Sequence, residues 1–369
     1  MSDSKDTVAS AQARLLEIRK AIDGIDGEIL ALLNRRANLA LKVGQVKEER
    51  GGAFYVPSRE EDMVRRLQEI NAGPFPDQAI RPVWKEIISA SLSLEKPLTV
   101  AYFGPQGTFT HQACRKQFGL SARYLPVRTI PDVFDVVEKG KTPFGVIPIE
   151  NTTEGVVNHT LDMFLRSDLK IVAEVLLRVS HNLLSLSGKA EEVRHIYSHP
   201  QPLGQCRRWL EQHFPDTPLL DATSTAQAAK LAAEDPFAAA VASELAADLY
   251  GLRAVEERIE DNPNNFTRFL VIGQDIPERG DQSKTSILFA VRDAVGALYR
   301  MLQPFYDCEV NLTKIESRPS KERAWQYVFF VDMEGHVEDA KVKKALAELE
   351  TQCHFLKVLG SYPCAELPD

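Results

Sequence analysis

The chain has 369 residues, of which 44% are apolar and 26% charged, and it carries a formal net charge of −8. That length is too great for one hydrophobic core, so roughly two to four domains are expected. The acidic balance argues against a general nucleic-acid binder or an anionic-membrane binder, and no apolar run is long enough to span a bilayer.

The chain opens with "MSDSKDTVAS", which has no apolar stretch and is not a signal peptide. From about Val8 to Leu94 the pattern is helical. Apolar residues recur at Leu15, Ile18, Ile22, Ile25, Ile29, Leu32, Leu39, Val43 and Val46, a spacing of three or four. This predicts one long helix ended by Gly51-Gly52. A second helix opens at Pro57, a favourable first-turn residue, and runs to about Asn71. A third starts after Asp77 and reaches Glu95, before Lys96-Pro97 breaks the pattern.

Charges interrupt the apolar stripes. The register Leu15, Ile22, Ile29 continues with Arg36, and Arg19 and Lys47 flank the same stripe. Such cations can snorkel from a helix seam or fix its register. They can also line a pocket for a small dianion. At the rise of a helix, Arg36 and Lys47 lie ~17 Å apart and Arg19 and Lys47 ~42 Å apart. Arg19 would therefore have to come from an antiparallel partner helix, which makes a dimer obligatory. In the third helix Trp84, Ile88, Ser91 and Glu95 share one face. Ser91 and Glu95 are either a buried polar end or a solvated terminus.

These stretches, "LLEIRKAIDGIDGEILALLNRRANLALKVGQVK", "YVPSREE" and "SASLSLE", resemble the all-helical chorismate mutase domain over nearly the whole of residues 1–96. The resemblance implies an intertwined homodimer, with pairing of dimers left open, that rearranges chorismate to prephenate. It implies that Arg19 of the partner chain, with Arg36 and Lys47, binds the substrate carboxylates and ether oxygen. Glu60 would accept from the substrate hydroxyl, and Ser91 and Glu95 would sit near a carboxylate and the ether oxygen. Arg36, Lys47 and Glu95 are the expected catalytic groups. The chain departs from one family pattern at Val56, where an acidic residue can occur, and at Glu95, where some members carry Gln.

From Leu98 the texture alternates between short apolar runs and helical stretches. "LTVAYFG", "RYLPV", "FGVIPIE", "HIYSH", "FAAAVAS" and "RFLVIG" read as strands, with helices such as "QCRRWLEQHF" and "STAQAAKLAAED" between them. This predicts an α/β fold with a mainly parallel sheet, divided into two small lobes. Polar residues stand at several strand ends. Gly107, Thr108 and Thr110 lie in "GPQGTFTHQA", where Gly107 permits close backbone approach and the threonines can cap a helix. Glu150, Asn151 and Thr152 lie in "VIPIENTTEG", Ser198, His199 and Gln201 in "YSHPQP", and Thr225 in "ATSTAQAA". Ligands of open α/β sheets bind beyond the carboxyl ends of the strands, so one cleft between lobes is expected. "NPNNFTRFLVIG" delivers Thr267 and Arg268 to the mouth of a strand. Arg268 alone is equally consistent with a surface ion pair.

Taken in order, "GPQGTFTHQA", "IENTTEG" and "TRF" resemble prephenate dehydratase across 97–275. The resemblance implies a two-lobed fold like that of periplasmic solute-binding proteins. It also implies conversion of prephenate to phenylpyruvate, carbon dioxide and water. Thr267 is the expected donor to the leaving hydroxide. Arg268, Gly107, Thr108, Thr110, Glu150, Asn151, Thr152, Ser198, His199, Gln201 and Thr225 would surround the substrate. A general-base role for His199 is not expected, because the elimination needs an acid.

After the polar linker "DIPERGDQSK", the remaining pattern is strand (Ser286–Val291), helix (Val295–Tyr306), strand (Val310–Ile315), strand (Gln326–Val331), helix (Glu338–Gln352), strand (Phe355–Leu359). That βαββαβ order is ferredoxin-like. Gly296, Ala297 and Leu298 begin its first helix, and "NLTKIESRP" holds Asn311, Leu312, Glu316, Ser317 and Arg318. The pair resembles the ACT domain, here 285–369, and implies phenylalanine bound between subunits and feedback inhibition. The five cysteines, Cys114, Cys206, Cys308, Cys353 and Cys364, form no C-x-x-C pair, so neither zinc nor a disulfide framework is expected and a reducing cytoplasm fits. No metal or cofactor is expected. Two other readings remain: a solute-binding protein with a helical dimerisation arm, disfavoured by the missing signal peptide, and an amino-acid sensor with vestigial lobes, disfavoured by the intact "TRF".

Overall fold

A computed structural model describes residues 3–50, 57–280, 282–291, 294–319 and 327–365. Gly51, Gly52, Val56 and Gln326, all singled out in the sequence, lie outside the described residues. The first segment is three helices, α1 (Asp3–Arg50), α2 (Pro57–Glu69) and α3 (Asp77–Glu95). The C-terminal part of α1 packs on α3. Further up, Leu15, Ile18, Ile22, Ile25, Ile29 and Leu32 are each between 49% and 58% exposed. An apolar stripe of this length has no cover among the described residues of its own chain.

The first α/β lobe contains β1 (Thr99–Phe103), α4 (Phe109–Phe118), β2 (Arg123–Val127), α5 (Ile130–Glu138), β3 (Phe144–Asn151), β4 (Gly155–Val156), α6 (Asn158–Arg166) and β5 (Lys170–Arg178). The second contains β6 (Asn182–Ser185), β7 (His195–Ser198), α7 (Pro200–Gln205), α8 (Arg207–His213), β8 (Leu219–Asp221), α9 (Thr225–Glu234), β9 (Ala238–Ala242), α10 (Glu244–Tyr250) and β10 (Arg253–Glu256). The chain then returns to the first lobe as β11 (Phe266–Gly273).

The two sheets run β2-β1-β3-β11-β5 and β10-β6-β9-β7-β8. The expected parallel pairing holds at β2-β1-β3 and at β9-β7-β8. It fails at β11, which is antiparallel to both β3 and β5 because it comes back from the other lobe, and in the second sheet at β6, which is antiparallel to both β9 and β10. Both sheets are therefore mixed. β4, β5, β6, β8 and β10 were not singled out as strands in the sequence. Most are only two to four residues long, and "KIVAEVLLR" is buried on both faces, so it lacks the alternation that marks a half-buried strand.

One face of the first sheet packs on α4 through Val100, Tyr102, Cys114, Phe269 and Val271. The other packs on α5, α6 and the last segment through Phe134, Ile147, Phe164, Leu270, Phe330 and Tyr362. That last segment is β12 (Ser283–Ala290), α11 (Ala297–Asp307), β13 (Leu312–Pro319), β14 (Tyr327–Glu334), α12 (Ala340–Gln352) and β15 (Phe355–Pro363). Its strands run β13-β14-β12-β15, all antiparallel, in the ferredoxin-like arrangement. Among the described residues no helix is long and apolar enough to cross a membrane.

Candidate active sites

The first site lies where α1 crosses the end of α3. Gly44 is buried there, and a Cβ on it would stand 3.1 Å from Cγ of Glu95, so glycine sets the closeness of the two helices. Arg36 Nη1 donates to Ser91 Oγ at 2.6 Å, and Ser91 Oγ donates to the Ile87 carbonyl at 2.7 Å. Lys47 Nζ stands 3.9 Å from Glu95 Oε2, which is buried without a hydrogen bond among the described residues. Burial raises the Glu95 pKa, against the pull of Lys47, Arg59 and Arg36. Glu60 pairs with Lys85 at 2.8 Å, and burial raises its pKa despite that cation. Burial also lowers the Arg36 pKa.

Arg36, Lys47, Glu60, Ser91 and Glu95 are thus brought together. Arg19 is exposed and lies ~26 Å up the same helix from Arg36, so it is not part of this chain's cluster. Arg59 is a member that the sequence reading passed over. It acts electrostatically on both Arg36 and Glu95, and its signal lay in the same "SREE" that marked Glu60.

The second site centres on the end of β3 and the start of β11, where Asn151 and Thr267 are cross-strand partners. Asn151 Nδ2 donates to Thr267 Oγ1 and to Asn265 Oδ1, both at 2.8 Å. Asn151 Oδ1 accepts from the backbone N–H groups of Thr153 (2.9 Å) and Glu154 (3.0 Å), which fixes the orientation of the amide. Thr267 Oγ1 is therefore an acceptor here. Its own proton meets no acceptor among the described residues, although the residue is only 9% exposed. Lobe contact reaches the pair through Asn265. Its Nδ2 donates to Gln205 Oε1 at 3.1 Å, and Gln205 Nε2 donates to Glu154 Oε1 at 3.0 Å. His181 Nε2 lies 2.8 Å from the same Gln205 oxygen, and burial lowers the His181 pKa against the pull of Gln205 and Glu260. Asn265, Gln205 and His181 were not singled out. Gln205 and His181 sit in plain helix and hinge sequence, and only the fold joins them to Thr267.

The other expected residues are placed as follows. Thr152 Oγ1 donates to the Asn264 carbonyl and accepts from Phe266 N, both at 3.0 Å, stapling the entry to β11. Gly107 has φ 85°. A Cβ on it would come within 3.3 Å of the Tyr250 ring and 3.5 Å of Ala226 and Ala246, where the lobes meet. Its N–H donates to His111 Nδ1 at 3.2 Å, a ring held neutral by burial with a pKa of about 4. Thr108 caps α4, and Thr110 is buried in its first turn. Ser198 Oγ is buried and donates to the Val241 carbonyl at 2.7 Å. His199 caps α7 by accepting from Gln201 N, Gln201 itself is exposed, and Thr225 is buried at the start of α9. Ser198 and His199 thus serve local contacts within the second lobe.

Two expectations are corrected. Strand alternation puts Arg268 and Glu150 on the sheet face opposite Thr267 and Asn151. Arg268 is buried against Glu174 (2.7 Å), Asp332 (2.5 Å) and the Tyr362 hydroxyl (2.9 Å). Burial works to lower its pKa, but Tyr362, Asp332 and Glu174 hold it well above the ordinary value. Its guanidinium is engaged by this buried network, on the face away from Thr267, and not by a surface ion pair. Glu150 is bound by Lys314 Nζ of β13. A cation does line the space between lobes. Arg178 borders a cavity of about 270 Å³ with Gln112, Ser180, Asn182 and Glu244, and the buried Arg178 Nε and Gln112 Oε1 have no partner among the described residues. A second cavity, of about 570 Å³, opens between α2, α3, β5 and the end of β15 and holds Glu60; Thr267 and Asn151 line neither cavity.

In the last segment β13 is an edge strand, and its residues alternate between half-buried and exposed. Lys314, Glu316 and Arg318 share the face turned to the first lobe, where Arg318 donates to the Asn158 carbonyl at 2.8 Å and approaches Asp162. Ser317 is on the other face, so Glu316, Ser317 and Arg318 do not point into one place. Asn311 donates to Glu334 at 2.9 Å and Leu312 is half-buried. Gly296 and Leu298 are exposed, and Ala297 is half-buried.

Three family models match the chain in order: "Chorismate mutase type II" over residues 18–96, "Prephenate dehydratase" over 100–277 and "ACT domain" over 285–351. A bifunctional chorismate mutase/prephenate dehydratase of Aquifex aeolicus is 51% identical over 359 residues, covering 96% of this chain and 99% of that protein. The protein of the same description from Escherichia coli K12 is 33% identical over 376 residues, covering 95% and 96%. Among solved structures, prephenate dehydratase from Arthrobacter aurescens in complex with L-Phe matches with a TM-score of 0.67 at 34% identity, covering 73% of this chain and 90% of that one. The chain belongs to the bifunctional chorismate mutase/prephenate dehydratase family.

Proposed function

We propose that the helical cluster rearranges chorismate to prephenate and that the cleft between lobes converts prephenate to phenylpyruvate, carbon dioxide and water, with phenylalanine inhibiting through the ferredoxin-like unit. The first reaction is pericyclic and moves no proton, so fixed charges that hold the reactive conformer suffice. Arg36, Lys47 and a partner chain's Arg19 hold the carboxylates, Arg59 adds to this positive field, and Ser91 anchors Arg36. Glu95, protonated, donates to the ether oxygen. Glu60 shares its carboxylate between Lys85 and the substrate hydroxyl. The uncovered stripe on α1 supports a homodimer, and domains of 1–96, 97–275 and 285–369 follow from this division. Five cysteines without a disulfide fit a cytoplasmic enzyme.

In the second reaction the bond between ring carbon and carboxylate breaks. Its electron pair enters the ring as the bond to the ring hydroxyl breaks, and carbon dioxide and hydroxide leave. Hydroxide is a poor leaving group unless a donor meets it. The observation that carries this reading is the Thr267 hydroxyl, which accepts from Asn151 and keeps its proton unspent. Arg178, at the end of β5, supplies a cation to the cavity between lobes for a substrate carboxylate, with Gly107 letting the lobes close and Thr108 and Thr110 ordering the helix behind it. Phenylalanine binds at the start of α11 and the exposed edge of β13, where a second chain completes the site.

The test is to give the purified chain chorismate. Prephenate should rise and then fall as phenylpyruvate forms, and phenylalanine should slow the second phase alone. Failure to form phenylpyruvate from either chorismate or supplied prephenate contradicts the reading.

A further inference from the structure

We propose that Asn265 is a positioning residue for the dehydratase reaction, acting through Asn151 to fix the placement of the Thr267 hydroxyl, which the locked Asn151 amide leaves as a donor. The inference rests on Thr267 being the group that meets the leaving hydroxide.

Asn265 is 2% exposed and stands two residues before Thr267, at the last turn of the segment returning from the second lobe. Its backbone carbonyl accepts from Val179 N at 2.8 Å, so its position is set by the residue that follows β5. Its side chain is used at both ends. Oδ1 takes one proton of Asn151 Nδ2 at 2.8 Å, and Nδ2 donates to Gln205 Oε1 at 3.1 Å. The other proton of Asn151 Nδ2 goes to Thr267 Oγ1 at 2.8 Å.

The direction of every bond in this row is forced. Asn151 Oδ1 is occupied by two backbone N–H groups, so the amide cannot flip to present an acceptor to Thr267. Thr267 must accept from Asn151 and is left with its own proton to give. Asn265 completes the lock, because it takes the second Asn151 proton and holds that nitrogen in the plane it shares with Thr267. Without it, Asn151 Nδ2 has a buried N–H to satisfy and turns toward the nearest acceptor. Gln205 belongs to α7 of the second lobe, so the row also ties the donor's geometry to the approach of that lobe.

The experiment is a double-mutant cycle on the full chain, with mutase activity as internal control. Asn265→Ala should lower dehydratase kcat on the order of 100-fold with little change in KM, because misplacement rather than binding is at stake. Mutase activity should be unchanged. Adding Asn265→Ala to Asn151→Ala should cost nothing further, since the residue acts through a group already gone. Unchanged kcat in Asn265→Ala, multiplying losses in the double variant, or parallel loss of mutase activity would each overturn the proposal. Thr267→Ala separates it from the reading beneath it. If Thr267→Ala leaves kcat intact, the donor assignment fails. If Thr267→Ala inactivates and Asn265→Ala does not, only the positioning role fails.

Discussion

In the proposed rearrangement Glu95 sets the pH response. A carboxyl group can donate to the ether oxygen only while protonated, and burial raises the Glu95 pKa above that of a free carboxyl group. Activity is therefore retained at low pH and lost as pH rises through the raised pKa. Glu95→Gln, which cannot ionise, should flatten that limb, and an unchanged profile would remove Glu95 from the role. Arg178 is tested by a different parameter. Arg178→Met should raise dehydratase KM roughly 10-fold and lower kcat far less, the signature of lost ground-state binding. A pure kcat loss would place Arg178 elsewhere. Thr267 and Asn151 were legible in the sequence as polar residues at strand ends. Arg268 and Glu150 were misread because each stands next to one of them. Neighbours along a strand face opposite ways, and the sequence carries that period but not what covers each face.

At the scale of the element, α1 was the most legible part of the molecule. Its spacing announced the helix, and Pro57 announced the start of α2. The geometry also placed Arg19 out of reach of Lys47 on the same helix. That yields a complementation test. Arg19→Ala and Lys47→Ala chains should each lack mutase activity, and mixing them after unfolding should restore part of it, because one site of a mixed dimer holds both wild-type cations. No recovery would contradict a shared site. β5 and β11 were less legible. A strand buried on both faces gives no alternation, and the antiparallel insertion of β11 depends on a chain path through another lobe, which local pattern does not encode.

Across the whole molecule, the ferredoxin-like unit touches the dehydratase lobe next to its chemistry. Arg268 and Glu150 are cross-strand partners, adjoining the Thr267 and Asn151 pair, and a register shift follows at Arg268 and Phe269. Asp332 holds the first and Lys314 the second. Lys314 lies on β13, the strand proposed to take part in phenylalanine binding, so an effector that shifts this strand acts on the reverse side of the catalytic pair. Coupling requires the contact to differ between two states. Lys314→Gln should bind phenylalanine normally and be inhibited several-fold less, with basal dehydratase activity preserved. Unaltered inhibition would move the coupling to another contact.

The central claim is that one threonine hydroxyl drives the elimination while a separate helical cluster performs the rearrangement. It is tested most directly by following both products from chorismate in the Thr267→Ala variant. The account predicts that prephenate accumulates at the wild-type rate and that phenylpyruvate formation falls by at least about 100-fold. Phenylpyruvate formed at the wild-type rate would contradict it.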